Sequence, residues 1–173
     1  ASAATGDISA SVDGDLVTVT TGSGNDSITV KAATEVKKAI TLGAGNDTLD
    51  LKTAFTGVDA NTAAIAGGEG TDTIVLTAAV AAAASLTTDS STLFKSKVTG
   101  FEQLEIGKAG TANDSINAED VTINLENLGF NYVITNGTLS NTSDDDAGVA
   151  ADAEDDKLIL DKIANNSTVV LNA

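Results

Sequence analysis

The sequence predicts an all-β fold, a parallel β-solenoid of the β-roll or β-helix kind, with glycine turns along one edge and one short helix inserted. Three observations predict it. A glycine–aspartate turn motif recurs, short alternating apolar segments separate its copies, and none of the 173 residues is proline. Because proline cannot donate a ladder hydrogen bond, its absence suits a chain whose amides are mostly paired. A β-sandwich or meander is the alternative.

The turn motif recurs at near-regular spacing. Each copy has glycine two positions and aspartate four positions after an initial glycine, as in GSGNDSITV (22–30), GAGNDTLDL (43–51) and, after Gly67, GEGTDTIVL (68–76). Asp47 follows Asp26 by 21 residues, Asp72 follows Asp47 by 25, and a weaker copy places Asp114 a further 42 residues on. Such periods are typical of stacked coils, in which equivalent apolar residues form ladders. The predicted ladder consists of Ile28, Leu49 and Ile74.

Alternating segments predict the strands. They are LVTVT (16–20), AITL (39–42), TLDL (48–51), TIVL (73–76), VTINL (121–125), NYVIT (131–135), KLILD (157–161) and STVVLN (167–172). VTGFEQLEI (98–106) also alternates, and we expect Glu102 and Glu105 to be solvated there, with Val98, Phe101, Leu104 and Ile106 available for burial. The alanine-rich segment 77–86 predicts the helix, capped by Thr77.

The remaining segments predict turns and loops within a single domain, 1–173, which we interpret as a piece of a larger protein. Asn136-Gly137 is a strong tight-turn signal and predicts one hairpin within the parallel stack. The segment 140–156 is acidic and aperiodic, so it predicts a surface loop.

The charge balance excludes several functions. The chain has 25 acidic and 9 basic residues and a net charge of −16, so nucleic acid is not an expected partner. The sequence contains no apolar run near 18 residues, so membrane insertion is not expected. Without histidine or the motifs of common nucleophilic and phosphate-binding sites, we expect no enzyme activity. An acidic chain repels itself unless cations neutralise it, which favours a bound divalent metal.

The turns carry the residue types that a calcium site needs. Glycine lets backbone carbonyls point at a common centre, and the following carboxylate returns towards them. Calcium takes six to eight oxygen ligands in flexible geometry, so carbonyls with one or two carboxylates suit Ca2+. The candidate ligand and turn residues are Gly22, Gly24, Asn25, Asp26, Gly43, Gly45, Asn46, Asp47, Gly68, Gly70, Thr71, Asp72 and Asp114. Tight turns without metal are the alternative reading.

The repeats resemble the nonapeptide GGxGxDxUx of RTX, or haemolysin-type calcium-binding, proteins. The copy that starts at Gly67 matches every specified position, whereas Thr21 and Leu42 replace the first glycine in the earlier copies. The weaker copy has Ala112 in place of the second required glycine. With one glycine turn per coil, calcium is expected along one edge, at two inter-turn sites and a third near Asp114.

A wider resemblance covers about residues 15–135. GGEGTDTIVLTAAVAAAASL, VTGFEQLEIG and VTINLENLGFNYVIT resemble repeat regions of surface-layer proteins and adhesins of Gram-negative bacteria. The resemblance implies type I secretion, an extracellular location on the cell surface, and calcium-dependent folding and self-assembly into a surface layer (S-layer). Its implied partners are further copies of the chain and cell-surface polysaccharide. An adhesin segment, or an accessory RTX module of a secreted hydrolase, is the alternative.

Overall fold

The structure is a computed structural model that describes residues 5–31, 35–51, 55–107, 121–136 and 158–172. These residues form three sheets and three helices. The seven-stranded sheet has the order β1 (Ser9–Asp13), β3 (Ser27–Lys31), β5 (Thr48–Asp50), β7 (Thr73–Leu76), β9 (Gln103–Ile106), β11 (Tyr132–Asn136) and β13 (Thr168–Asn172). The four-stranded sheet contains β2 (Val19–Thr20), β4 (Ile40–Ala44), β6 (Ile65–Glu69) and β8 (Val98–Thr99). The two-stranded sheet pairs β10 (Val121–Asn124) with β12 (Leu158–Asp161).

Equivalent apolar residues form a ladder through the seven-stranded sheet. Ile28 lies opposite Leu49, Leu49 opposite Ile74, and Ile74 opposite Leu104. All four side chains are buried, because alternate residues of a strand share one face. The predicted ladder of Ile28, Leu49 and Ile74 is therefore confirmed, and Leu104 extends it.

A second ladder runs through the four-stranded sheet. Val19, Ile40, Ile65 and Val98 lie opposite one another in that order, and all are buried. Both ladders belong to one hydrophobic cluster, which is mostly aliphatic. The two sheets therefore share a core, and the glycine turns connect them: each turn leaves a strand of the smaller sheet and enters a strand of the larger one.

Two helices follow β7 without an intervening strand. Helix α1 (Ala78–Ser85) begins as predicted, because the Thr77 hydroxyl accepts the amide hydrogen of Val80 at 3.3 Å. Helix α2 (Thr88–Lys97) has the same kind of cap, formed by Thr87. Asp89 in its first turn and lysines in its last turn suit the helix dipole.

A short helix and two aromatic rings complete this region. Helix α3 (Leu125–Leu128) begins at the Asn124 cap and ends at Gly129, whose φ of 84° is left-handed. Phe94 of α2 packs edge to face against Phe130, with 6.5 Å between the ring centroids. Helix α1 packs against β10, and α2 packs against α3. Within the described ranges, no helix is long and apolar enough to cross a membrane.

The prediction of an all-β solenoid with one helix is wrong. The described residues form three parallel sheets with three helices, an α/β-type layout. The prediction failed because α2 is rich in serine and threonine, which are weak helix formers, and is stabilised by the burial of Phe94. The pairings between described strands are parallel, so the meander alternative does not hold for them either.

Most predicted strands lie within a residue or two of the observed ones, with two exceptions. The strand predicted at 16–20 is reduced to β2, because residues 14–16 form a turn in which the Leu16 amide bonds the Asp13 carbonyl. The strand predicted within 98–106 is divided at Gly100 into β8 and β9. Gly137 of the predicted hairpin, the acidic loop 140–156 and Asp114 lie outside the described residues.

Candidate metal site

The three glycine turns stack so closely that a side chain cannot fit between them. Gly45 has a φ of 137°, and a Cβ built on it would collide with the carbonyl oxygen of Gly24. A Cβ on Gly70 would collide in the same way with the Gly45 carbonyl. Gly43 and Gly68 repeat this arrangement, each against the carbonyl of the corresponding glycine, Gly22 or Gly43, in the preceding turn. Close stacking thus accounts for the glycines without any ion.

Four carboxylates form a column beside these turns. The Asp26 amide donates to Oδ1 of Asp47 at 2.7 Å, and the Asp47 amide donates to Oδ1 of Asp72 at 2.8 Å. At the two ends, Oδ1 of Asp26 accepts the Ile8 amide at 2.8 Å, and Oε2 of Glu102 accepts the Asp72 amide at 2.9 Å. Each acid therefore holds the backbone of the preceding layer. We call Asp26, Asp47, Asp72 and Glu102 the carboxylate column.

The second carboxylate oxygens of the three aspartates are different. The residues Asp26, Asp47 and Asp72 are 2%, 1% and 0% exposed, and Oδ2 of each is buried without a hydrogen-bond partner from the protein. Leaving a buried polar atom unsatisfied costs about 1–3 kcal/mol, and more when the group is charged. Stacking explains the glycines, but it does not explain three such oxygens in successive layers.

The electrostatics of the column agree with this geometry. Burial raises the pKa of Asp47, a hydrogen bond from the Asp26 amide lowers it, and the nearby Asp26 carboxylate raises it again. Burial also raises the pKa of Asp72; the Asp47 amide opposes that shift, whereas the Asp47 and Glu102 charges add to it. Burial and neighbouring negative charge thus shift both central carboxylates towards the neutral form, and a nearby positive charge would oppose that shift.

Polar side chains form a further ladder beside the carboxylate column on the exposed surface, and we call Asp7, Asn25 and Asn46 the outer ladder. The Asn25 amide donates to Oδ1 of Asp7 at 2.7 Å, and the Asn46 amide to Oδ1 of Asn25 at 2.8 Å. The Thr71 amide then donates to Oδ1 of Asn46 at 3.0 Å. Asn25 and Asn46, predicted as metal-site residues, therefore bridge neighbouring turns, and Thr71 only donates to this ladder through its backbone.

The structure brings together most of the predicted site residues. The three aspartates form the column, the six glycines shape its turns, and Asn25, Asn46 and Thr71 line the outer ladder. Asp114 lies outside the described residues.

Sequence reasoning missed Glu102 and Asp7. Glu102 was expected to be solvated and it is exposed, but the sequence did not assign it to the carboxylate column. It precedes Gln103 and Leu104 as Asp72 precedes Thr73 and Ile74, with which those two residues pair. That pattern of acid, polar and apolar residues is visible in the sequence. The two helices place it 30 residues after Asp72, outside the period of the turns.

A metal ion at the carboxylate column could not be held by side chains alone. No group of three or more Asp, Glu, His or Cys side chains able to hold a metal occurs in the part of the chain that the structure describes. An ion here would have one carboxylate oxygen per layer and would take its other ligands from backbone carbonyls or water. Calcium accepts such mixed sets, whereas zinc prefers nitrogen and sulfur ligands.

Comparison of the chain with protein-family models, curated proteins and solved structures finds no match. The resemblance to RTX proteins therefore rests on the repeats themselves.

Proposed function

We propose that the chain is a calcium-stabilised structural domain of a secreted bacterial surface-layer protein, and that it folds and assembles outside the cell. The observation that carries the proposal is the row of buried Oδ2 atoms without hydrogen-bond partners on Asp26, Asp47 and Asp72. A divalent cation beside these oxygens would compensate the charge that burial disfavours. The resemblance of the repeats to RTX proteins is our reason for proposing calcium as the ion, type I secretion as the export route and a surface layer as the setting.

The magnitudes favour a large effect of calcium. Carboxylates on neighbouring parallel strands are about 4.8 Å apart, and two unit charges at that distance repel by roughly 3.5 kcal/mol at an effective dielectric constant near 20. If each site has a Kd near 10⁻⁴ M, free calcium near 10⁻³ M contributes about 1.4 kcal/mol per site. Two such sites approach the stability of a marginal domain, about 5 kcal/mol, once repulsion is also relieved.

This dependence suits an exported protein. With a net charge of −16 and its central carboxylates unscreened, the chain would remain loosely folded where calcium is scarce. Outside the cell, calcium would bring the turns together. The role that we propose for the chain is structural.

The test compares the chelator-treated chain with the same chain in millimolar calcium, by circular dichroism and small-angle X-ray scattering. We expect the chain to be larger and less stable in chelator, with its turns loosened, and compact in calcium, with magnesium much less effective, since magnesium requires a stricter octahedral geometry. The same compact state in chelator and in calcium would refute the proposal and favour metal-free turns.

A second experiment addresses the surface-layer assignment. Electron microscopy of the calcium-bound protein should show ordered sheets if copies of the chain form a lattice. Dispersed single particles would contradict the lattice and favour an adhesin segment or an accessory module.

A further inference from the structure

We propose that the Asp72 layer forms a calcium site completed by Glu102 and the backbone carbonyl of Gly100, both of which lie outside the glycine-rich repeats. This inference rests on the proposed function, since it names the ligands of one site in the same column. It adds a ligand that the repeat pattern does not contain. It also connects the column to the chain segment that follows helix α2.

The first observation concerns Gly67. A Cβ built on Gly67 would lie 2.6 Å from Oδ2 of Asp72 and would collide with the carbonyl oxygen of Gly100. A carboxylate oxygen and a carbonyl oxygen thus approach the same point beside the Gly67 backbone. Neither oxygen carries a hydrogen to donate, and both lie within 2.6 Å of that point, so a single cation could contact the two of them.

This arrangement is specific to the third turn. Gly67 lies in register with Leu42, since Thr41 pairs with Ala66 and Gly43 with Gly68. The side chain of Leu42 is fully buried, and Thr21 one layer earlier is also buried. Among the three glycine turns, the one that begins at Gly67 lacks a side chain at that position, and Gly100 lies in register with Gly67 in the next layer. The space that Thr21 and Leu42 fill in the two earlier turns is therefore open to oxygen atoms beside Asp72.

The second observation concerns Asp72 and Glu102. Asp72 is 0% exposed and its Oδ2 has no hydrogen-bond partner, whereas Glu102 is exposed. One oxygen of Glu102 accepts the Asp72 amide at 2.9 Å, which holds the carboxylate at the end of the column. A carboxylate can bind an ion through its other oxygen. The exposed Glu102 carboxylate thus places a negative charge on the solvent side of the buried Asp72 carboxylate, where a hydrated ion can enter.

The test is a calorimetric calcium titration of the full chain, with Glu102→Gln compared with wild type and with Glu105→Gln. In Glu102→Gln the side-chain carbonyl oxygen still accepts the Asp72 backbone amide, so the fold is retained while the charge is lost. We expect Glu102→Gln to weaken one calcium site at least about tenfold, because calcium affinity depends on ligand charge. Glu105→Gln, which changes an acid in β9, should bind calcium like wild type.

A charge-retaining variant and a structural readout complete the test. Glu102→Asp should retain the site, because the aspartates elsewhere in the column bond the preceding amide from the same register position. Calcium should slow hydrogen exchange of the Glu102 and Gln103 amides, which bond the Asp72 carbonyl, in wild type but not in Glu102→Gln.

The outcomes separate this inference from the proposed function. If wild type binds calcium and Glu102→Gln binds it equally well, the Glu102 site is refuted and the proposed function stands. If wild type binds no calcium at millimolar concentration, both are refuted. Circular dichroism of each variant in calcium reports any loss of fold, and Glu102→Asp then decides between a charge requirement and a folding defect.

Discussion

Two parts of the molecule differ in how they accommodate buried polar groups. One is the turn stack, which comprises the three glycine turns and their aspartates, and the other is the helical region, which comprises α1, α2 and α3. In the helical region, the hydroxyl of buried Ser85 donates to the Ala82 carbonyl and accepts the Asn124 amide. The hydroxyl of Ser91 donates to the Thr88 carbonyl. In the turn stack, Oδ2 of Asp26, Asp47 and Asp72 has no such partner. The three oxygens of the turn stack are therefore the buried acceptors that a cation would compensate under the proposed function.

The two regions also differ in what holds them together. Phe94 and Phe130 pack in the helical region, so ordinary apolar burial stabilises it. The turn stack relies on backbone contacts so close that only glycine fits, and on acids that bond backbone amides. Its stability should therefore depend on calcium, whereas that of the helical region should not. Three substitutions test this difference, in order of decreasing expected effect.

Gly45→Ala should have the largest effect. The new methyl group meets the Gly24 carbonyl at a φ of 137°, so strain and overpacking together should lower the free energy of unfolding by about 4–5 kcal/mol. Gly57→Ala is the matched control, since Gly57 has a φ of 136° with no atom near its Cβ position. Gly57→Ala should lower the free energy of unfolding by the backbone strain alone, about 1–3 kcal/mol. Urea unfolding measures both, and equal losses would contradict the close stacking of the turns.

Phe94→Ala should have a smaller effect that does not depend on calcium. Removing a fully buried ring leaves a cavity beside Phe130, with an expected loss of about 3–4 kcal/mol. Leu86→Ala, at a side chain that is 79% exposed, is the control and should change stability by less than about 0.5 kcal/mol. Urea unfolding in calcium and in chelator should give the same loss for Phe94→Ala. A loss confined to one condition would mean that the helical region depends on the ion too.

The turn stack and the helical region also differ in how much of their structure the sequence predicts. The near-regular spacing of Asp26, Asp47 and Asp72, 21 and 25 residues, predicted a stacked ladder, because such a repeat brings equivalent residues into register. Helix α1 was predictable from its alanines and the Thr77 cap. These features are local or periodic, so a single sequence reveals them.

Other features depend on contacts that a single sequence does not show. Helix α2 contains few strong helix formers and depends on the burial of Phe94. Glu102 joins the column only because α1 and α2 fold back and return the chain to the next register position. The burial of the aspartates was also missed: the sequence suggests ligands at a turn, whereas the structure places their carboxylates almost entirely out of solvent.

Asp47→Asn has the smallest expected effect and the most specific one, because its sign should depend on calcium. Asp47 lies between Asp26 and Asp72, and an asparagine keeps an oxygen that accepts the Asp26 amide while removing the buried charge. In chelator, losing that charge should raise the free energy of unfolding by about 1–2 kcal/mol. In millimolar calcium, the same change removes a charged ligand and should lower it by a similar amount, about 1–2 kcal/mol.

The control for Asp47→Asn is Glu69→Gln, which removes an exposed acid from the neighbouring glycine turn. Urea unfolding of this control should differ little from wild type in either condition, because an exposed charge is screened by solvent. If Asp47→Asn stabilises the chain equally in calcium and in chelator, the buried carboxylate is only a repulsive group and no ion compensates it. If Asp47→Asn raises the free energy of unfolding in chelator and lowers it in calcium, the unpaired oxygens of the turn stack bind calcium. That binding would then explain why these oxygens lack protein partners, whereas the buried hydroxyls of the helical region have them.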